Sequence, residues 1–151
     1  MSSPEDMALQ LVVERTFDAP RDRVFRAWVD PVLMSKWFAP IGMRATEVAV
    51  EPHVGGKYRI GMQEPDGRTI YVTGEYIEIA APDRLVFTWS WLSEQRRENS
   101  LVTVEFIDRG ASTHIILIHE RLRTADIKEG NREGWSNCLE SLHQHLMSGD
   151  V

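Results

Sequence analysis

From residue 43 to residue 120 apolar and polar residues alternate with a period of two, the pattern of strands that bury one face. Turn-forming clusters cut this run into pieces: Pro52-His53-Val54-Gly55-Gly56, Pro65-Asp66-Gly67, Ala81-Pro82-Asp83 and Arg109-Gly110-Ala111. Strands are therefore predicted over residues 43–51, 57–63, 69–79, 85–91, 101–108 and 113–120, with a polar loop over 93–99. Leu85, Phe87, Trp89 and Trp91 share one face of their strand, and Val102, Val104 and Phe106 share one face of the next. Beyond residue 124 the period changes. Trp135, Cys138, Leu139, Leu142 and Leu146 make one stripe of a helix over 124–147. Thr124 is its predicted N-cap, Asp126 sits in its first turn, and Ser148-Gly149 stops it.

Residues 9–17 read as a first strand. Pro20, with Val24, Phe25 and Trp28 as an apolar face, predicts a short helix over 20–29. Asp30-Pro31 repeats the start signal, and Leu33, Met34 and Trp37 predict a second short helix. Consecutive strands joined by short turns make an antiparallel sheet, so the class is α+β. A sheet of six to seven strands twists and curls, and the long C-terminal helix is the element able to cover its concave face. Such an arrangement leaves space for a cavity between sheet and helix. Gly130 and Gly134 share a face of that helix, each costing about 1 kcal/mol relative to Ala. Close backbone approach to the sheet, room for something bound beneath, and a local kink are the three readings of this pair.

Composition narrows the function classes. The 151 residues suit one domain over 1–151, and 42% hydrophobic with 26% charged residues is ordinary for a soluble protein. A formal charge of −6, with no basic cluster beyond a pair such as Arg96-Arg97, argues against a nucleic-acid partner. The polar, acidic start MSSPEDMALQ is no signal peptide, and no apolar run approaches the ~20 residues of a membrane span. One cysteine, Cys138, excludes an internal disulfide and fits the cytoplasm.

Several marks then fall in order along nearly the whole chain. They are Phe17-Asp18-Ala19-Pro20 with Val24-Phe25 and Trp28, then Trp37-Phe38-Ala39-Pro40, then Gly55-Gly56. Gly74-Glu75-Tyr76, Pro82-Asp83-Arg84-Leu85, His119-Glu120-Arg121-Leu122 and Gly134-Trp135 complete the series. In these the chain resembles the helix-grip superfamily of START lipid-transfer domains, birch-pollen-allergen proteins and polyketide cyclases. Within it, the chain looks like the branch named after the activator of the heat-shock-chaperone ATPase. The resemblance implies a curved antiparallel sheet wrapped around the C-terminal helix, with two short helices after the first strand. It implies no single activity, since members transfer lipids, bind hormones, cyclise polyketides or assist a chaperone. The chaperone activator carries an additional N-terminal domain. A first strand expected from Leu9 leaves no room for one, which counts against chaperone activation.

Reaction chemistry is sparse. There is no phosphate loop, zinc-spaced Cys/His set or nucleophile elbow, and no cofactor is expected. His143 and His145, two apart on a helix, point to different faces and read as solvated residues. In a regular strand Ile115, Leu117 and His119 face inward while His114 faces out to solvent. His119 is either a structural histidine bonded to backbone or an acid, base or ligand contact beside a cavity. Cys138, on the buried stripe, reads as a small apolar filler. Tyr58 and Tyr76 offer hydroxyls. Trp37, Phe38, Trp89, Trp91 and Trp135 are either core or the aromatic walls of a ligand site, and the resemblance implies a cavity where they gather. The leading reading is a domain that binds a small hydrophobic or aromatic molecule, with Tyr58, His119 and Cys138 as further contacts. An enzyme using the same cavity, with His119 and a tyrosine moving protons, and a protein-interaction module are the alternatives.

Overall fold

The structure, a computed structural model, describes residues 9–39, 42–92 and 100–148. Pro40 of the second motif, the expected loop over 93–99 with Arg96-Arg97, and the expected stop at Gly149 lie outside them. The element order is β1 Leu9–Phe17, α1 Arg21–Ala27, α2 Pro31–Trp37, β2 Arg44–Val50, β3 Lys57–Gln63, β4 Thr69–Ala80, β5 Arg84–Trp91, β6 Ser100–Arg109, β7 Ser112–Leu122 and α3 Ala125–Met147.

The helices start where their sequences dictate. Asp30 caps α2 by accepting from the backbone N–H groups of Val32 and Leu33 at 2.8 and 3.3 Å. Thr124 caps α3 through Ile127 N–H at 3.1 Å. Pro20 is itself the N-cap of α1 instead of lying inside its first turn, and has no side-chain acceptor to offer. That helix ends at Ala27, short of the expected residue 29. No described helix is long and apolar enough to cross a membrane.

The seven strands form one antiparallel sheet in the order β1-β7-β6-β5-β4-β3-β2. β2 to β7 is the expected meander. β1 pairs with β7, so α1 and α2 must carry the chain from one edge of the sheet to the other. Turn chemistry fixes the registers. In the β3–β4 hairpin Gly67 takes φ +92°, and the Asp66 carboxylate accepts from Arg68 N–H at 2.9 Å. Register shifts on β2 and β4 and between β1 and β7 bend the sheet, as extra residues in a ladder do.

β7 departs from regular alternation just beyond His119. Leu11 pairs with His119 and Leu9 with Leu122, so β7 carries one residue more than β1 in that interval. Arg121 takes φ +66° there and is exposed. His119 and Leu122 consequently both point inward, which regular alternation forbids, and both are fully buried. The long helix closes the core: Trp135, Cys138, Leu139, Leu142 and Leu146, its predicted stripe, are all buried.

Gly74 marks the tightest approach in the sheet. A Cβ there would lie 2.0 Å from the Thr88 carbonyl oxygen and 2.4 Å from the Tyr58 ring. Tyr58 lies directly across the ladder from Gly74 and fills the place a side chain would take. Gly134→Ala is the contrast, since its Cβ meets nothing within 4 Å. In urea unfolding, Gly74→Ala is expected to lose about 1–3 kcal/mol or more through overpacking. Gly134→Ala is expected to gain about 1 kcal/mol from helix propensity. Equal midpoints for the two variants would contradict this packing.

Candidate functional site

Four elements meet through one buried hydrogen-bonded chain. The Trp135 indole on α3 donates to His119 Nδ1 on β7 at 3.0 Å. An indole nitrogen only donates, so Nδ1 is the acceptor and the ring proton sits on Nε2. Nε2 therefore donates to Ser100 Oγ on β6 at 2.8 Å, and the Ser100 hydroxyl donates to the Trp89 carbonyl on β5 at 2.9 Å. Burial pushes the His119 pKa down to about 4, so the ring is neutral at physiological pH. Both of its nitrogens are taken by protein groups. It stands behind Trp135 and its bonds go to two side chains, not to the backbone.

Around this chain the aromatic residues divide into a filled part and an open part. Trp28, Trp37 and Phe38 pack against one another with ring centroids 4.8–6.1 Å apart, and the Trp37 indole donates to the Ala27 carbonyl at 2.8 Å. Tyr58, Tyr76 and Phe87 form a second group at 5.7–6.2 Å. The Tyr58 hydroxyl donates to the Thr88 carbonyl at 2.5 Å, and burial raises its pKa well above the ordinary value. The gap where the two groups meet, lined by Trp28, Phe38, Tyr58 and Phe87 among others, holds about 10 Å³. That is room for one water at most.

The open part lies under the first half of α3. A cleft of about 70 Å³ has Met62, Trp89, Trp135 and Cys138 as buried walls. Half-buried Trp91 and Asn131 stand at its mouth, and Gly130 and Gly134 form the helix side. A Cβ on either glycine meets nothing within 4 Å. The pair therefore leaves open space and makes no close approach to the sheet, against the first of the three expectations for it. Burial pushes the Cys138 thiol up to about 12, so it stays protonated and is a poor nucleophile.

The structure thus brings Trp89, Trp91, Trp135 and Cys138 together at one cleft. Trp37 and Phe38 lie in the filled core, Tyr58 lies between that core and an open hollow over β2 to β5, and His119 is not among the walls. Two participants escape sequence reading. Met62 was available from the alternation Tyr58, Ile60, Met62 in β3. Ser100 carried no signal, because its part is set by cross-strand pairing with Trp89. His114 is on the outer face as expected but is not free in solvent. Pairing with β1 places its two ring nitrogens 2.8 Å from Thr16 Oγ1 and 2.8 Å from the Glu14 carboxylate. His143 and His145 are half-buried near the end of α3. A separate open hollow of about 940 Å³ lies over β2 to β5, with Glu51, Lys57, Arg59 and Glu75 among its charged borders.

The buried imidazole makes stability depend on pH. His119 protonates near pH 4 when folded and near 6.5 when unfolded. Between these values the unfolded chain binds the extra proton. The contribution is therefore fully present above about pH 6.5 and is lost as pH falls through 4, by up to about 3 kcal/mol. His119→Gln, which can accept and donate without titrating, removes this dependence. Urea unfolding at pH 7 and pH 4 is expected to show wild type losing about 3 kcal/mol relative to the variant. A pH-independent difference would contradict a neutral, buried His119.

Comparison with known proteins agrees with this architecture. Solved structures superpose along almost the whole chain. A protein from Rhizobium leguminosarum is 28% identical, with a TM-score of 0.82 over 93% of this chain and 95% of its own. One from Arthrobacter aurescens is 25% identical, with a TM-score of 0.80 over 95% and 89%. The AHSA1 protein from Silicibacter pomeroyi, at 23% identity, gives a TM-score of 0.82 over 92% and 98%, a likeness of fold alone. No curated protein matches the chain in sequence. The family described as activator of Hsp90 ATPase homolog 1-like protein matches residues 18–147. With its helix-grip fold and this match over most of its length, the chain belongs to the activator of Hsp90 ATPase homolog 1-like family.

Proposed function

We propose that this protein binds a small apolar or aromatic molecule in the cleft between α3 and the sheet, with Trp89, Trp91 and Trp135 as its walls. The observation that carries this reading is the pair Gly130 and Gly134. The gap between the two packed aromatic groups holds about 10 Å³, yet here two helical positions forgo side chains over three tryptophans. Each glycine weakens the helix by about 1 kcal/mol, and neither is needed for backbone contact. Space kept at that cost, lined by rigid rings and open at a half-buried mouth, suits an apolar ligand.

The chemistry of the walls favours binding over turnover. Cys138 is a protonated thiol, and His119 has both nitrogens engaged and stands behind Trp135. Neither is available as a nucleophile or a proton shuttle to a molecule in the cleft.

Titration with single-ring aromatic compounds, followed by tryptophan fluorescence and melting temperature together, tests the reading. Saturable quenching is expected, with about 2.7 kcal/mol of added stability at a hundredfold excess over Kd. Trp91→Ala, at the mouth and outside the buried hydrogen-bonded chain, is expected to stay folded and to lose the response. A flat melting temperature and unchanged fluorescence across the series would overturn the reading.

A further inference from the structure

Trp89 is 5% exposed, and its indole N–H is buried without a hydrogen-bond partner. The aromatic rings around it do not supply an acceptor atom. Phe38, Trp91 and Trp135 pack on it with centroids 6.2, 5.7 and 4.8 Å away, and none of the three carries one. The His119 ring lies 6.0 Å away, but its one acceptor nitrogen already receives the Trp135 proton. A buried donor left unmade is costly, and most such groups in folded proteins have an acceptor. Trp89 also forms part of the buried wall of the 70 Å³ cleft. The Trp28 indole N–H is likewise without a partner, but of the two it is Trp89 that lines the 70 Å³ cleft, where an acceptor has room.

We infer that the ligand is a small uncharged molecule with a carbonyl or ether oxygen at its buried end, accepting a hydrogen bond from the Trp89 indole. This rests on the binding reading above and narrows it to one chemical class. Size and charge agree with it. The cleft is about half of a 150 Å³ apolar cavity of the kind that holds benzene, so the buried end is no larger than a short branched group. The remainder of the molecule emerges between Gly130 and Trp91. Among the described residues no charged side chain lines the cleft, so an ionised carboxylate or amine would find no charged partner among them. Asn131, also on the cleft, spends one of its two amide N–H groups on the Ile127 carbonyl at 2.8 Å.

Acetophenone and α-methylstyrene have nearly the same shape and differ in a carbonyl oxygen against a methylene, which makes them a matched pair of probes. Isothermal titration calorimetry of the full chain is expected to show acetophenone binding about tenfold tighter. Trp89→Phe keeps an aromatic wall and removes the N–H, and is expected to bind both equally. Gly134→Leu, placed where a side chain enters open space, is expected to lose both and to remain folded. Equal affinity of the two probes for wild type would overturn the acceptor inference and leave apolar binding standing. A preference that survives in Trp89→Phe would overturn the assignment to Trp89. Absence of binding by either probe would overturn this inference together with the reading beneath it.

Discussion

The buried chain running from the Trp135 indole through His119 and Ser100 to the Trp89 carbonyl is the constraint on which the rest of the interior depends. It joins α3 to β7, β6 and β5. Each member has a fixed role as donor or acceptor, so the chain works with only one tautomer of His119. Removing any member leaves a buried polar group unmade, at a cost of about 1–3 kcal/mol. The extra residue in β7 follows His119, which alternation turns inward, and brings Leu122 inward as well. With Trp135 held in this way, its ring forms a rigid wall.

The two halves of α3 then do different work. The second half buries Cys138, Leu139, Leu142 and Leu146 and secures the fold. The first half carries Gly130 and Gly134 over Trp89 and Trp91, and leaves the cleft. The sheet is continuous beneath both, bent by its register shifts and locked at Gly74, where Tyr58 replaces the missing side chain. Aromatic residues are thus spent in two ways: Trp28, Trp37 and Phe38 as filling, and Trp89, Trp91 and Trp135 as walls.

Much of the fold was legible because hydrophobic period and turn chemistry are local. The strands, the caps at Asp30 and Thr124 and the buried stripe of α3 could be read from spacing. The pairing of β1 with β7 could not, being a choice between two sheet edges that no local pattern records. The candidate site was legible in part. Strand alternation placed His119 inward, and helical spacing put Trp135 and Cys138 beside the sheet. Which aromatics fill and which surround space depends on sums of side-chain volumes across several strands, so Tyr58 and Phe38 looked no different from Trp91. The meaning of the glycine pair lies in the packing around it, since close approach and open space both call for a missing side chain.

The most direct test of this account is the protonation pattern of His119, read from long-range proton–nitrogen correlations of its ring at pH 7. The structure requires a neutral ring with the proton on Nε2, a bare Nδ1 and a pKa well below that of a free imidazole. That result would establish the buried chain that holds Trp135 and Trp89 in place. A ring protonated on Nδ1, or an imidazolium at pH 7, is incompatible with the Trp135 bond and would contradict it.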